Sequence, residues 1–503
     1  MPIISSIVSW LNIKRLHQIE LFMKYPFDVQ KETLFRLLEK ANDTAIGKEY
    51  EFSGIKSIEN FQKKVPVQTY DDIKNYVSRI MAGEQNLLWP SEIKWFAKSS
   101  GTTNDKSKFI PVSIEALEEC HFRGGKDIIA IYTRNHPDSK MLKGKALTLG
   151  GSHKISSYSN QSYYGDLSAI LIENLPFWAH FIRTPSHEIA LLDEWEQKLD
   201  LITKETINDN VTNIAGVPSW NLVLINHILE YTNKKNLLEI WPNLELFTHG
   251  GVSFTPYREQ FKKVIPSESM NYMETYNASE GFFALQDDPS KDDMLLMLDY
   301  GIFYEFIPVS EIDSPDPKAY TIADVKPGVN YAMVITTNGG LWRYLIGDTV
   351  IFTSLYPHKI KISGRTKHFI NAFGEEIIID NAEKALSIAC EKTGSVINEY
   401  TAAPVYMTQS TKGTHEWVIE FEKEPVDIEY FAEVLDHALC SINSDYEAKR
   451  YKNMTLVMPV IRKLEKGSFY KWLSSKGKAG GQNKVPRLSN DRKYVEEILN
   501  FVK

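Results

Sequence analysis

The feature that most constrains this chain is the run Lys98-Ser99-Ser100-Gly101-Thr102-Thr103-Asn104-Asp105-Lys106-Ser107-Lys108. It sits between the apolar pair Trp95-Phe96 and the segment Phe109-Ile110-Pro111-Val112, so it reads as a polar loop joining two extended segments. Hydroxyls and backbone N–H groups donate to anionic oxygens, Gly101 lets the backbone come close, and the lysines add positive charge. A loop of this kind can hold phosphate. A solvated polar hairpin has the same composition, and both readings stand at this point. The pattern is not a Walker loop, because G-x-x-x-x-G-K-[ST] occurs nowhere in the chain, and there is no G-x-G of a dinucleotide fingerprint.

A chain of 503 residues exceeds what one hydrophobic core usually supports, so two or more domains are expected. Hydrophobic residues at 43% and charged residues at 24% can bury such cores. The net charge of −8 argues against nucleic acid as a partner, since such binding draws on a basic surface, and any anionic ligand must be met by local groups. Cys120, Cys390 and Cys440 are too few and too far apart for a disulfide framework or a cysteine-based zinc site, which fits a reducing cytoplasm. Met1 to Asn12 is apolar, but its basic residues, Lys14 and Arg15, follow it, the reverse of a secretory signal. No run reaches membrane-spanning length. This first segment is expected either to pack on the core or to lie weakly on a membrane surface.

Along the chain, Ile19, Leu21, Phe22, Leu34, Leu37 and Leu38 fall at helical spacing, with Pro26 dividing two helices. Thr69 to Met81 is a further helix, and Ser113 caps another that runs to Ile131, weakened in the middle by Gly124-Gly125. Ala146 to Gly151 reads as a buried strand ending in a turn, and Ser152 to Gly165 as a loop. Helices are expected over Glu188 to Leu201 and Trp220 to Tyr231, and strands over Leu244 to Phe247, Asn271 to Leu285, Tyr300 to Ile307, Tyr331 to Thr336 and Thr349 to Phe352. Strands alternating with helices indicate an α/β fold. Beyond Gly364 short strands at Pro404 to Thr408, Glu416 to Phe421 and Thr455 to Pro459 alternate with helices at Ile428 to Ile442 and Lys493 to Val502, which indicates a small α+β domain. Lys476 to Lys484 is a Gly- and Lys-rich loop expected to be mobile.

Two further motifs carry chemistry. Tyr276-Asn277-Ala278-Ser279-Glu280 places an aromatic ring, a hydroxyl and a carboxylate at a strand end, groups that can stack a base, contact phosphate and hold Mg²⁺. Trp342-Arg343-Tyr344-Leu345-Ile346-Gly347-Asp348 ends in a carboxylate that can accept from a ribose diol or serve as an ordinary turn aspartate.

The order of the set, a Ser/Thr/Gly/Lys loop, Tyr-x-x-Ser-Glu, Tyr-x-x-Gly-Asp and then Gly364-Arg365, resembles the adenylate-forming enzymes and specifically the GH3 acyl acid amido synthetase family. The resemblance extends to Asn443-Ser444-Asp445-Tyr446 with Arg450 and spans nearly the whole chain. It implies a large N-terminal domain, residues 1–378, of β-sheets flanked by helices, and a small mobile C-terminal domain, residues 379–503, with a hinge near 364–380 and Lys367 within it. It implies that Ser99, Ser100, Gly101, Thr102 and Thr103 meet the ATP phosphates together with Ser279, assisted by Lys106 and Lys108. Gly250 and Gly251 would border the nucleotide, Tyr276 would stack on adenine, Glu280 would coordinate Mg²⁺, Asp348 would bind the ribose, and Arg365 would lie near ribose or phosphate.

Two departures from the family pattern bear on the site. Plant members carry a hinge lysine that reaches the nucleotide, whereas here the stretch reads Phe373-Gly374-Glu375-Glu376, so another cation must act. Lys484 resembles the superfamily's C-terminal lysine and is the candidate, against a solvated loop lysine. The acyl pocket is the second: Arg123 is placed to bind a carboxylate or to form a helix salt bridge, and Tyr158, Tyr163, Tyr164, Phe177 and Trp178 are placed to line an aromatic site or plain core. His153, His249 and His368 have no metal-ligand spacing. The implied activity is a monomeric ligase that adenylates a carboxylic acid with MgATP and passes the acyl group to an amine, an amino acid. An acyl-CoA ligase or a non-catalytic nucleotide-binding protein on the same scaffold is the alternative.

Overall fold

The computed structural model describes residues 2–502 except 101–106, 151–155, 160–161, 193, 253, 255–256, 313, 315–316, 367–368, 409–410, 454 and 477–485. Gly101, Thr102, Thr103, Lys106, His153, Lys367, His368 and Lys484 therefore lie outside the described residues.

Two helices, Pro2–Lys24 and Pro26–Ala41, open the chain. Pro26 is the first residue of the second, where a missing N–H leaves no bond unmade. That helix buries Leu34, Leu37, Leu38 and Ala41, a single stripe at helical spacing. Helix Tyr70–Met81 starts with a capping box, in which the Thr69 backbone N–H donates to Asp72 Oδ2 at 2.7 Å. These helices close over the strands that follow.

In chain order the strands are β1 (Trp95–Ser100), β2 (Ser107–Val112), β3 (Lys145–Thr148), β4 (Ser156–Ser159), β5 (Ser162–Gly165), β6 (Arg183–Thr184), β7 (Val211–Gly216), β8 (Leu246–His249), β9 (Asn271–Ala278) and β10 (Gly281–Leu285). They continue as β11 (Met294–Leu296), β12 (Ile302–Pro308), β13 (Asn330–Thr337), β14 (Tyr344–Leu355) and β15 (His358–Arg365). A small sheet has the order β2-β1-β5-β4, and the large one runs β12-β13-β14-β15-β11-β10-β9-β8-β7-β3-β6. β9, β8, β7, β3 and β6 are mutually parallel and the rest of the large sheet is antiparallel. The carboxyl ends of the parallel strands open on one edge, the usual position of a ligand in such sheets. Further on come β16 (Phe369–Ile370), β17 (Ile377–Ile378), β18 (Val396–Val405), β19 (Thr414–Lys423) and β20 (Val460–Leu464), the last three forming their own sheet with helices Ile379–Thr393 and Ile428–Ile442.

One large apolar cluster joins the opening helices to the antiparallel half of the large sheet, and a second runs from the parallel half into the C-terminal strands. The sequence expectations are met for most elements and fail at several places, among them Pro404 to Thr408, where β18 instead spans Val396–Val405. Ser152 to Gly165 carries β4 and β5 rather than only loop, because β5 has a partner in β1 that local composition does not reveal. The helix expected from Glu188 begins at Trp195, after a short turn of helix at His187–Ala190. The segment Thr455 to Pro459 is not a strand; β20 starts just after it, at Val460. Gly124 does not weaken a helix so much as permit one: a Cβ there would lie 2.6 Å from the Phe282 ring, so only glycine lets Phe122–Asn135 lie against β10.

Candidate active site

Asp348 is the best-held group at the open edge. It lies on β14 directly opposite Arg365 of β15, and the Arg365 Nε–H donates to its Oδ1 at 2.7 Å. The Tyr276 hydroxyl, from the end of β9, donates to its Oδ2 at 2.7 Å. Both oxygens are thus fixed by donors from different strands, and each keeps a lone pair for a further donor. Tyr276 is itself 5% exposed and packs edge-on against Phe283, with ring centroids 4.8 Å apart. Its burial, and next the nearby carboxylate, push the phenol pKa well above its ordinary value, so it remains a hydrogen-bond donor at neutral pH.

Glu280 is brought to the same place by a hairpin. Ala278 pairs with Gly281, so Ser279 and Glu280 are the two turn residues between β9 and β10. Burial raises the Glu280 pKa, Lys108 of β2 and Arg365 oppose that effect, and Asp348 adds to it, which sets these four groups within electrostatic reach of one another. Lys108 is opposite Ser99 in the β1–β2 ladder. Gly250 and Gly251 follow β8, one strand from Tyr276. A Cβ at Gly250 would lie 2.5 Å from the Thr275 carbonyl oxygen, and Gly251 has φ +82°. The Thr275 hydroxyl donates to the His249 carbonyl at 3.1 Å and ties this loop to β9.

Arg365 has a second anionic partner. Its guanidinium pairs with the Glu376 carboxylate and lies over the Phe369 ring, 5.4 Å from the centroid. Glu375 points elsewhere. It is buried, accepts from the Ala372 and Phe373 backbone N–H groups at 3.2 and 2.6 Å, and meets His415 Nε2 at 2.7 Å. Burial alone would raise its pKa, but the His415 contact and the backbone donors hold it below the usual carboxylate range. The two acids that replace a basic hinge are therefore both paired inside the protein, which no local sequence pattern indicated.

Arg123 makes an intramolecular contact. Its Nη1 donates to the Asp299 backbone carbonyl at 2.9 Å, beside a cluster in which Arg15 bridges Asp127 and Asp299. It belongs to the seam between the first helix and helix Phe122–Asn135, because one helical turn places it next to Asp127 on the face that meets Arg15. The side chain of the preceding turn that does face the site is His121. A π-turn over Ala116–His121 shifts the register, and His121 Nδ1 lies 3.1 Å from Asn277 Oδ1 inside the Tyr276–Glu280 motif. Burial lowers the His121 pKa to about 4, so the ring is neutral. A helical histidine with no spacing partner gave no signal of this. Tyr163 lies on β5 at 36% exposure, tilted against Trp95 with centroids 5.2 Å apart, while Tyr158 and Phe177 are exposed and Tyr164 packs on Phe109. Among the described residues no three His, Cys, Asp or Glu side chains form a metal cluster, and no helix is long and apolar enough to cross a membrane.

Residues 15–270 match the GH3 family N-terminal domain, residues 295–365 the GH3 family central domain, and residues 380–493 the GH3 family C-terminal domain. The chain is 24% identical to the indole-3-acetic acid-amido synthetase GH3.3 of Arabidopsis thaliana, over 95% of this chain and 91% of that protein. It is 23% identical to the 4-substituted benzoates-glutamate ligase GH3.12 of the same plant, over 88% of this chain and 90% of that protein. The solved structure of the AtGH3.15 acyl acid amido synthetase in complex with 2,4-DB superposes with a TM-score of 0.64 at 18% identity, covering 98% of this chain and 96% of that one. With all three family domains matched in order across most of its length, the chain belongs to the GH3 family.

Proposed function

We propose that this protein is an ATP-dependent ligase that adenylates a carboxylic acid and transfers the acyl group to the amino group of an amino acid. The observation that carries the reading is the convergence of Asp348, Tyr276, Arg365, Glu280 and Lys108, from five strands or turns, at the carboxyl edge of the parallel strands. A family of amide-forming ligases surrounds that geometry.

In this reading the Asp348 carboxylate, clamped at both oxygens, accepts from the ribose hydroxyls. Tyr276 holds Asp348 and borders adenine, with Gly250 and Gly251 letting the backbone approach the nucleotide. Ser99, Ser100, Gly101, Thr102, Thr103 and Ser279 donate to the phosphates, and Lys106 and Lys108 add charge. The residues fit Mg²⁺ only in part: Glu280 is one enclosed carboxylate, so the ion would be held between Glu280 and the phosphates rather than in a protein cage, where it would neutralise charge on the triphosphate. The acid's carboxylate attacks the α-phosphate, pyrophosphate leaves, and the amine then attacks the acyl carbon and displaces AMP. Positioning and charge do this work without a protein nucleophile. Residues 1–378 form the substrate-binding domain in this scheme and 379–503 a domain that carries Lys484, in a monomeric cytoplasmic enzyme.

The test is ATP–pyrophosphate exchange across a panel of carboxylic acids, followed by AMP release and amide formation with amino acids. Glu280→Gln keeps the volume and removes the charge, and is expected to lower exchange at least ~10²-fold while the thermal transition is retained. Thioester formation with coenzyme A but no amide would replace the reading by an acyl-CoA ligase, and no exchange with any acid would leave only nucleotide binding.

A further inference from the structure

Two irregularities of the backbone meet beside Glu280, one in a helix and one in a hairpin. The first is the π-turn Ala116–His121, whose closing bond runs from the Phe122 N–H to the Leu117 carbonyl, five residues back. The second is a β-bulge in the β9–β10 hairpin: Phe282 pairs with Asn277 and Ala284 with Tyr276, so Phe283 is the extra residue. Irregularities of both kinds re-aim side chains, and here they bring the helix and the hairpin into direct contact.

Cys120 and His121, the last two residues of the π-turn, grip the two strands of the hairpin at a single rung. His121 Nδ1 lies 3.1 Å from Asn277 Oδ1 on β9. The Phe282 N–H on β10 donates to Cys120 Sγ at 3.1 Å, and the same Sγ lies 3.7 Å from the Phe282 carbonyl oxygen. Asn277 and Phe282 are register partners, and the next rung, Ala278 with Gly281, closes the Ser279–Glu280 turn. Both gripping side chains are buried. The fit is close: a Cβ at Gly281 would lie 3.6 Å from Cys120 Sγ and 2.8 Å from Ile302 Cδ1 of β12, and the Gly124 position, one helical turn on, has no room for a Cβ against the Phe282 ring. The other end of the π-turn is tied to the exit of β2. Ser113 Oγ accepts from the Ala116 N–H at 3.0 Å and donates to the Asn338 carbonyl at 2.7 Å, and Asn338 Nδ2 donates to the Glu115 carbonyl at 3.2 Å. The turn therefore spans from the strand that carries Lys108 to the hairpin that carries Glu280.

We infer that Cys120 and His121 are positioning residues for Glu280: through the Asn277–Phe282 rung they fix where the hairpin turn stands relative to Lys108 on β2. The inference rests on the reading of Glu280 as the carboxylate that meets Mg²⁺. A two-residue turn at an open edge is held by its own strands unless something grips it from outside, and a carboxylate that shares an ion with phosphates has to be placed to within about 0.5 Å. Cys120 and His121 act on the reaction only through the hairpin.

The experiment uses the full chain and has two readouts. The first needs no ligand: amide hydrogen exchange across residues 276–285 in wild type, His121→Leu and His121→Gln. His121→Leu keeps bulk and loses the contact with Asn277, and is expected to speed exchange in this segment about 5-fold or more with the rest of the large sheet unchanged, the loss of one hydrogen bond. The second is ATP–pyrophosphate exchange at varied Mg²⁺. His121→Leu is expected to raise the Mg²⁺ concentration for half-maximal exchange roughly 10-fold or more, with KM for ATP at saturating Mg²⁺ within about twofold of wild type. His121→Gln keeps a donor for Asn277 and is expected to recover most of both readouts. Cys120→Ala removes the acceptor of the Phe282 N–H; it is the second variant if His121→Leu does not fold, and is expected to move both readouts in the same direction. Absence of exchange with every acid tested would refute the ligase reading and leave the ligand-free readout to decide the positioning. Unchanged hydrogen exchange across 276–285 in the variants, or a fall in kcat and in the thermal transition with the Mg²⁺ dependence unaltered, would overturn the assignment.

Discussion

Asp348 illustrates how much of this site is made by its neighbours. An isolated aspartate after a glycine says little, but here Tyr276 and Arg365 fix both oxygens and so fix the direction of the remaining lone pairs. Asp348→Asn puts an NH₂ group against one of these two donors, and because the ribose contact exists in ground and transition states alike, KM for ATP is expected to rise about tenfold or more with little change in kcat. Tyr276→Phe removes only the clamp on Oδ2, and a smaller rise is expected, of order 1 kcal/mol in apparent affinity. Steady-state kinetics at varied ATP separates the two, and a fall in kcat alone would place Asp348 in the chemistry. His121 offers a different residue-scale test. Its folded pKa of about 4 lies below the ordinary value, so between about 6.5 and 4 the unfolded chain binds the extra proton and stability falls as pH falls. His121→Gln keeps a donor for Asn277 and is expected to flatten that fall by up to roughly 1.4 kcal/mol per pH unit, read from urea transitions between pH 7 and 4.5.

At the scale of elements, the Trp342–Asp348 motif divides into two jobs. Arg343 is buried at 5% exposure and faces inward: its Nε and Nη2 bind Glu305 of β12 at 2.9 Å each, and Nη1 donates to the Gln62 and Val65 carbonyls at 2.9 and 2.7 Å. It pins the end of helix Ile58–Lys64 to the sheet, while Asp348 on the same strand serves the site. Glu305→Gln leaves the guanidinium uncompensated and is expected to cost about 3–5 kcal/mol, whereas the pair Arg343→Met with Glu305→Leu is expected to cost less than either single change, as measured by shifts in the first unfolding transition. This division also shows what the sequence could and could not disclose. Apolar spacing located the opening helices and the helix Ile428–Ile442, and β12 and β13, buried on both faces, stood out as continuous apolar runs. The motifs located Tyr276, Glu280, Asp348 and Arg365 as groups, but their pairing needed β14 and β15 to be neighbours and β9 to end beside them, which is long-range information. The same limit hid β5, whose Tyr163 pairs with Trp95 of β1, 68 residues earlier, an interval no window spans. The facing of Arg123 is long-range information of the same kind, since its Nη1 donates to the Asp299 backbone carbonyl.

At the scale of the whole molecule, the proposed cycle requires the C-terminal part to change its contacts between half-reactions, and the seam shows which contacts are exchangeable. Lys452 with Glu196 and Tyr451 with Glu194 are exposed pairs that contribute little in water. The Tyr257 hydroxyl donates to the Ala372 carbonyl at 2.6 Å, within residues 364–380, and Gln260 Nε2 donates to the Met407 carbonyl at 2.7 Å, in the part that follows. In the proposed cycle, movement of residues 379–503 about residues 364–380 exchanges the surface pairs and Gln260–Met407 and keeps Tyr257–Ala372. Lys484 lies outside the described residues, and its role is carried by the family resemblance of Gln482-Asn483-Lys484-Val485-Pro486-Arg487. If Lys484 enters only for adenylation, its charge stabilises the leaving pyrophosphate and is absent when the amine attacks. Lys484→Ala is then expected to slow adenylate formation about 10²-fold or more, while amide formation from a chemically synthesised acyl adenylate is unchanged. Single-turnover assays of each step provide the measurement. Equal losses in both steps for Lys484→Ala would make it part of a fixed site and remove the need for rotation, and no loss in either would return the missing hinge cation to Lys106, Lys108 or Lys367.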